Sequence, residues 1–129
     1  MIAVDTNLLI RLLTKDDPVQ AKRAAKVMES DEIFIPKTVM LETEWVLRHA
    51  YGIGKEAIIS GFQKMMGLPN VNVENQQTVF QAISWYGLDL DFADALHLAS
   101  SMKADKFVTF DKAFIKKAPK LISIDITLP

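Results

Sequence analysis

The stretch MIAVDTNLLIRLL, residues 1–13, decides the fold. Met1 to Val4 is a short apolar run of the kind that makes a fully buried strand. Asp5 ends it, and Leu8, Leu9, Leu12 and Leu13 then recur at helical spacing between Asn7 and Leu13. A carboxylate therefore stands where a buried strand hands over to a helix. In an open α/β sheet that junction is the carboxyl edge, where ligands bind. Asp is also a favoured helix N-cap. On this stretch alone, the cap and the site weigh roughly evenly for Asp5.

Outward from there, the chain keeps alternating. Asp17-Pro18 starts a second helix, with Pro at the first helical position and Ala21, Ala24, Ala25 and Met28 as a thin apolar face. Ile33 to Ile35 is a strand closed by Pro36. Thr38 to Tyr51 is a helix ended by Gly52 and Gly54, and Lys55 to Met66 is another. Gly67, Pro69 and Asn70 turn the chain into the strand Val71 to Val73. Helices follow at Gln76 to Tyr86, which stops at Gly87, and at Asp91 to Met102. Lys106 to Thr109 is a strand, Asp111 to Lys117 a short helix, and Leu121 to Ile124 a last strand. This order predicts an α/β domain with a mostly parallel central sheet flanked by helices. The two-helix stretch from Thr38 to Met66 has no strand inside it and reads as a flank beside the sheet.

At 129 residues, without repeats or a linker, residues 1–129 are expected to form a single domain. Half of them are hydrophobic and 24% charged, ordinary for a globular protein. The absence of cysteine excludes disulfides and thiolate zinc sites, and two histidines, His49 and His97, are too few for a histidine-rich site. Any metal must be held mainly by oxygen, which points to Mg²⁺ or Mn²⁺. Asp5 and Arg11 interrupt any signal-like N-terminal run, and no apolar stretch approaches the ~20 residues that span a bilayer. The expectation is a cytoplasmic protein without membrane contact. A net charge of −1 gives no global pull toward nucleic acid, so a polyanion needs a local patch or bound metal.

Four acids stand out. Glu42 has Val39, Trp45 and Val46 around it on a helical wheel, which predicts a carboxylate on an apolar face. Carboxylates are seldom buried without a partner, which favours function there. Glu44 points the other way, with Arg48 at i+4, and reads as a solvated ion pair. Asp91 fits an N-cap, whereas Asp94, one turn further in and beside Leu98, fits a dipole role less well. His97 lies near Asp94 on the wheel, but a single helical His is more often a packed or partly exposed residue. Asp111 repeats the Asp5 arrangement, following the apolar Phe107 and Val108 and preceding a helix. If both strands are parallel, Asp5 and Asp111 share a sheet edge. Carboxylates brought together repel, and such a cluster persists when a divalent cation sits in it.

In this order the residues resemble the PIN-domain ribonucleases, and among them the VapC-like toxins of toxin–antitoxin pairs. The resemblance rests on Asp5-Thr6-Asn7 after the first strand, Val39-Met40-Leu41-Glu42-Thr43-Glu44-Trp45-Val46-Leu47 with Tyr51-Gly52, Asp91-Phe92-Ala93-Asp94-Ala95-Leu96, and Val108-Thr109-Phe110-Asp111. It covers essentially the whole chain. It implies a three-layer PIN-like fold and an acidic site of Asp5, Glu42, Asp94 and Asp111, with Asp91 at a position that is often acidic. It further implies one or two Mg²⁺ or Mn²⁺ ions, endonucleolytic hydrolysis of RNA, a homodimer, and a small antitoxin that blocks the acidic groove. Two metals about 4 Å apart activate water and stabilise the leaving oxygen in such chemistry, so no Lys, His or Ser nucleophile is required.

For the RNA itself, Arg11 and Lys112 are the first candidates as phosphate contacts, since each follows an acid of the set. Lys15, Lys116, Lys117 and Lys120 fit a solvated face better. Trp45, Phe62, Met65 and Met66 are many large apolar residues for a two-helix flank. They read as core or as a contact with antitoxin or a second subunit. Three other readings compete. A metal-dependent phosphatase of the haloacid-dehalogenase kind resembles a D-x-D strand end, and Asn7 stands where its second Asp belongs. A receiver-like domain looks for paired acids after the first strand and a Lys after the last, which Asp5-Thr6 and Thr127-Leu128-Pro129 do not supply. A non-catalytic interaction module would use the acids as helix caps only.

Overall fold

The computed structural model describes residues 1–120 and 122–129. Its elements run β1 (Ile2–Ala3), α1 (Thr6–Thr14), α2 (Pro18–Ser30), β2 (Ile33–Ile35), α3 (Lys37–His49), α4 (Lys55–Met66), β3 (Val71–Val73), α5 (Gln76–Tyr86), α6 (Phe92–Ala99), β4 (Lys106–Val108), α7 (Lys112–Lys117) and β5 (Asp125–Thr127). Every strand pairing among the described residues is parallel. This is the α/β fold that the alternation of strands and helices predicts. The chain divides into two compact units, Met1–Gln76 and Gln77–Pro129. No helix among the described residues is long and apolar enough to cross a membrane.

In the first unit the strand order is β1-β2-β3, with Ile2 beside Ile33 and Ile33 beside Val71. Ile33, Ile35, Val71 and Val73 are buried, as expected for strands covered on both faces. Only Val4 of the opening run is buried, however, since Ala3 is exposed and Ile2 intermediate, so β1 is not the fully buried strand its composition suggested. Asp17 caps α2 by accepting from the Gln20 amide at 3.1 Å, with Pro18 at its first turn. Phe62, Met65 and Met66 of α4 are core. Their bulk fills the unit and leaves no apolar face of theirs for a partner.

In the second unit β4 and β5 pair parallel, Phe107 beside Ile126. Tyr86 and Phe92 meet edge to face at 5.2 Å, and Phe107 stacks on Phe114 at 5.3 Å. Helix α6 ends at Ala99 rather than Met102, because the Ser100 and Ser101 amides tighten into a final turn on Leu96 and Leu98. The last strand starts at Asp125, later than expected. Of the expected Leu121 to Ile124, Leu121 lies outside the described residues and residues 122–124 are irregular.

Candidate metal-dependent nuclease site

Asp5 follows β1 and is the N-cap of α1, its Oδ1 accepting from the Leu8 amide at 3.2 Å. The capping role is therefore real. It engages one carboxylate oxygen and leaves the exposed side chain at the carboxyl end of the strand. Thr6, the next residue, is buried, and its Oγ1 donates to Glu42 Oε1. That bond fixes the Glu42 carboxylate beside the residue that follows Asp5. The start of α3 is set by Glu74 from the end of β3, whose Oε1 accepts from the Lys37 amide at 2.9 Å. Pro36, the residue at the cap position, has no side-chain donor or acceptor for that role.

The faces of α3 are the reverse of the sequence expectation. Met40, Thr43, Glu44 and Leu47 form its buried stripe, at i, i+3, i+4 and i+7. Glu42 is exposed, and Trp45 is 57% exposed with its ring 4.9 Å from that of His49. Glu44, expected on the solvated face, is 1% exposed. It does pair with Arg48, Nε to Oε2 at 2.7 Å. Two apolar neighbours of Glu42, Trp45 and Val46, had suggested the wrong stripe, because a paired glutamate and a threonine take the core positions instead.

In the second unit Asp111 is the N-cap of α7, accepting from the Phe114 amide at 3.0 Å. Asp91 stands at the N-cap position of α6, but its side chain makes no capping hydrogen bond, contrary to the sequence reading. Its charge is felt instead at Asp94. Partial burial pushes the Asp94 carboxyl above the ordinary range, Asp91 and then Asp111 push it further, and the exposed His97 works the other way. The charges of Asp91 and Asp111 thus reach Asp94 and oppose its ionisation, an electrostatic situation that a dication relieves.

The donors fit the ions expected. Asp5, Glu42, Asp94 and Asp111 offer hard oxygens of the kind Mg²⁺ and Mn²⁺ take, and no thiol competes. Among the described residues, no group of three or more His, Asp or Glu side chains lies close enough together to hold a metal ion by itself. Of the two candidate RNA contacts, Lys112 is exposed next to Asp111. Arg11 is engaged within its own unit, with Nε 2.7 Å from Gln20 Oε1 and Nη1 3.2 Å from Asp16 Oδ1 and 3.1 Å from the Tyr51 hydroxyl.

The PIN-domain family model matches residues 2–120. The chain belongs to the PIN-domain family. No curated protein matches it. Membership agrees with the parallel α/β architecture, and PIN domains are in general nucleases that act with divalent metal. Two features of this PIN domain escaped the sequence. The partner of the Thr6 hydroxyl is 36 residues away, beyond any periodicity. The Asp91 side chain, at the N-cap position of α6, makes no capping hydrogen bond, which spacing alone does not reveal.

Proposed function

We propose that this PIN-domain protein is a Mg²⁺- or Mn²⁺-dependent endoribonuclease, the toxin of a toxin–antitoxin pair, with Asp5, Glu42, Asp94 and Asp111 as its acidic residues. We further propose that residues 1–129 act as one PIN domain, since one family model runs through both units. The observation that supports the reading is the partly buried Asp94, whose carboxyl is lifted by burial first and then by the charges of Asp91 and Asp111. A partly buried carboxylate facing the charges of two others is where a cation would be favoured.

When bound, the cation supplies Lewis-acid stabilisation of phosphoryl oxygens and a water acidified enough to attack phosphorus. The chain's part is orientation. The Asp5 cap holds one carboxylate at the start of α1, the Thr6 bond orients that of Glu42 in the middle of α3, and the Asp111 cap holds a third at the start of α7. Lys112 is proposed to meet a backbone phosphate. Arg11 does so only by giving up part of its network with Asp16, Gln20 and Tyr51. A homodimer and a blocking antitoxin follow from the likeness to VapC-like toxins. Trp45 is an exposed large side chain of the α3–α4 flank open to either.

A second reading has one observation in its favour. Asp5 and Asp111 do cap their helices, as a non-catalytic interaction module requires. RNA incubated with the protein separates the two. Cleavage with Mg²⁺ or Mn²⁺ that EDTA abolishes is the expected result. Cleavage undiminished by EDTA, or none with either ion, overturns the metal-dependent reading. Growth arrest on expression, relieved by the product of a short overlapping upstream frame, tests the toxin role.

A further inference from the structure

Strand β4 and the turn after it carry a second feature. Along 106–110 the side chains alternate: Lys106, Val108 and Phe110 are exposed, while Phe107 and Thr109 are partly covered, Phe107 by its stack on Phe114, and the exposed Asp111 and Lys112 then begin α7. Phe110 is 85% exposed and Val108 54%. The turn that presents Phe110 is tied on both sides. The Thr109 amide donates to Thr127 O at 3.0 Å, the Asp111 amide to Thr109 Oγ1 at 3.0 Å, and Asp111 in turn caps α7. An aromatic ring is thus held open on a fixed backbone directly beside a candidate metal-binding carboxylate. Lysines stand at both ends of the strip, Lys106 and Lys112.

We propose that the strip Lys106–Val108–Phe110–Lys112 is a binding surface for single-stranded RNA, on which Phe110 stacks a nucleobase and Lys112 meets a neighbouring phosphate. This rests on the ribonuclease reading of the acidic residues. The chemistry suits this occupant. Every base offers a π-face to an aromatic ring, and backbone phosphates suit flanking cations. Val108, the exposed last residue of β4 two positions before Phe110, adds apolar surface for a second base or a ribose. A second copy of the chain suits the strip less well, since a symmetric contact would bring two sets of lysines together. Lys106 has Asp125 as its cross-strand neighbour, which offsets part of its charge. Lys112 therefore contributes more of the salt dependence.

The test uses the full chain, a labelled single-stranded RNA oligonucleotide and an abasic ribose-phosphate oligomer of the same length. Binding is read by fluorescence anisotropy and cleavage by steady-state kinetics. Phe110→Ala is expected to weaken binding to the RNA about tenfold, to raise KM more than it lowers kcat, and to leave binding of the abasic oligomer unchanged. Phe110→Tyr restores binding. Lys112→Ala weakens both oligomers and flattens the salt dependence. Because the Phe110 ring is exposed, the Phe110→Ala melting temperature stays at the wild-type value. If wild type cleaves RNA but Phe110→Ala binds and cleaves as wild type does, the stacking surface is overturned and the nuclease reading stands. If wild type binds RNA through Phe110 without cleaving it, the nuclease reading fails alone. If wild type does not bind RNA, or Phe110→Ala changes only sedimentation behaviour, the strip is not an RNA surface.

Discussion

Thr6 Oγ1 donates to Glu42 Oε1, joining the first turn of α1 to the middle of α3 across 36 residues of sequence. The hydroxyl sits on the residue that follows Asp5 and is 7% exposed, so its geometry is set by packing. Thr6→Val keeps the shape and removes the donor. We expect it to lower kcat for RNA cleavage by about 10- to 100-fold, as when a ligand loses its orienting partner. The stability cost is about 1 kcal/mol. Thr6→Ser should retain most of both. Steady-state kinetics on the two variants decide it, and a Thr6→Val enzyme with wild-type kcat would remove Thr6 from the site.

Asp94 gives a prediction of opposite sign for stability. Its carboxyl lies above the ordinary range, through burial first and then the charges of Asp91 and Asp111. An acid raised in the folded state destabilises the metal-free protein above that value, and the loss is recovered as pH falls through it. Asp94→Asn removes the charge with nearly the same shape. Without metal the variant should melt higher, by about 1 kcal/mol or less because the group is partly solvated. Wild type should gain about 2.7 kcal/mol at a hundredfold excess of Mn²⁺ over its Kd, and the variant much less. Melts in EDTA and in Mn²⁺ measure both. A variant that melts lower in EDTA and gains as much from Mn²⁺ shows Asp94 to be a dipole residue only.

The buried Glu44 depends on Arg48, with Nε 2.7 Å from Oε2 and Nη2 3.4 Å from Oε1. Arg48→Met keeps the aliphatic stem and removes the positive charge that lies against a carboxylate 1% exposed. The expected cost is roughly 2–4 kcal/mol in a denaturant titration. Cleavage at temperatures well below the transition should be unchanged. A cost under about 0.5 kcal/mol would mean that the pair behaves as a surface bridge.

Asp16 predicts where acid weakens the first unit. The Tyr51 hydroxyl at 2.9 Å, then Thr14, and then the Arg11 charge hold its carboxyl below the ordinary range. An acid depressed in the folded state contributes stability above its unfolded value, near pH 4, and loses it as pH falls through the folded one. The melting temperature of wild type should therefore fall below pH 4 more steeply than that of Asp16→Asn. Parallel curves for the two proteins would show that the network contributes no linkage.

Much of this was legible in the sequence, and the rest was not for identifiable reasons. Strong local punctuation marked the fold. Pro18 and Asp17 started α2, Gly67 closed α4, and Ile33-Phe34-Ile35 and Val71-Asn72-Val73 are strands as expected. Asp5 and Asp111 were legible as strand-to-helix carboxylates because that junction repeats in sequence. The face of α3 was not legible, since the wheel weighs apolar side chains and could not foresee Glu44 neutralised in the core by Arg48. Nor could it foresee Trp45 left outside. Tertiary partners of hydroxyls and guanidinium groups, such as Thr6 with Glu42 or Arg11 with Tyr51, leave no periodic trace.

We propose that Asp5, Glu42, Asp94 and Asp111 each contribute to binding the cation that RNA cleavage requires. Titration of Mn²⁺ by calorimetry, with RNA cleavage followed on the same samples, tests it on wild type, Asp5→Asn, Glu42→Gln, Asp94→Asn and Asp111→Asn. The account predicts that wild type binds Mn²⁺ and cleaves, and that each variant loses affinity and at least 100-fold in rate together, on the order of what loss of a metal ligand costs. Variants that cleave RNA at the wild-type rate with unchanged Mn²⁺ affinity would contradict it.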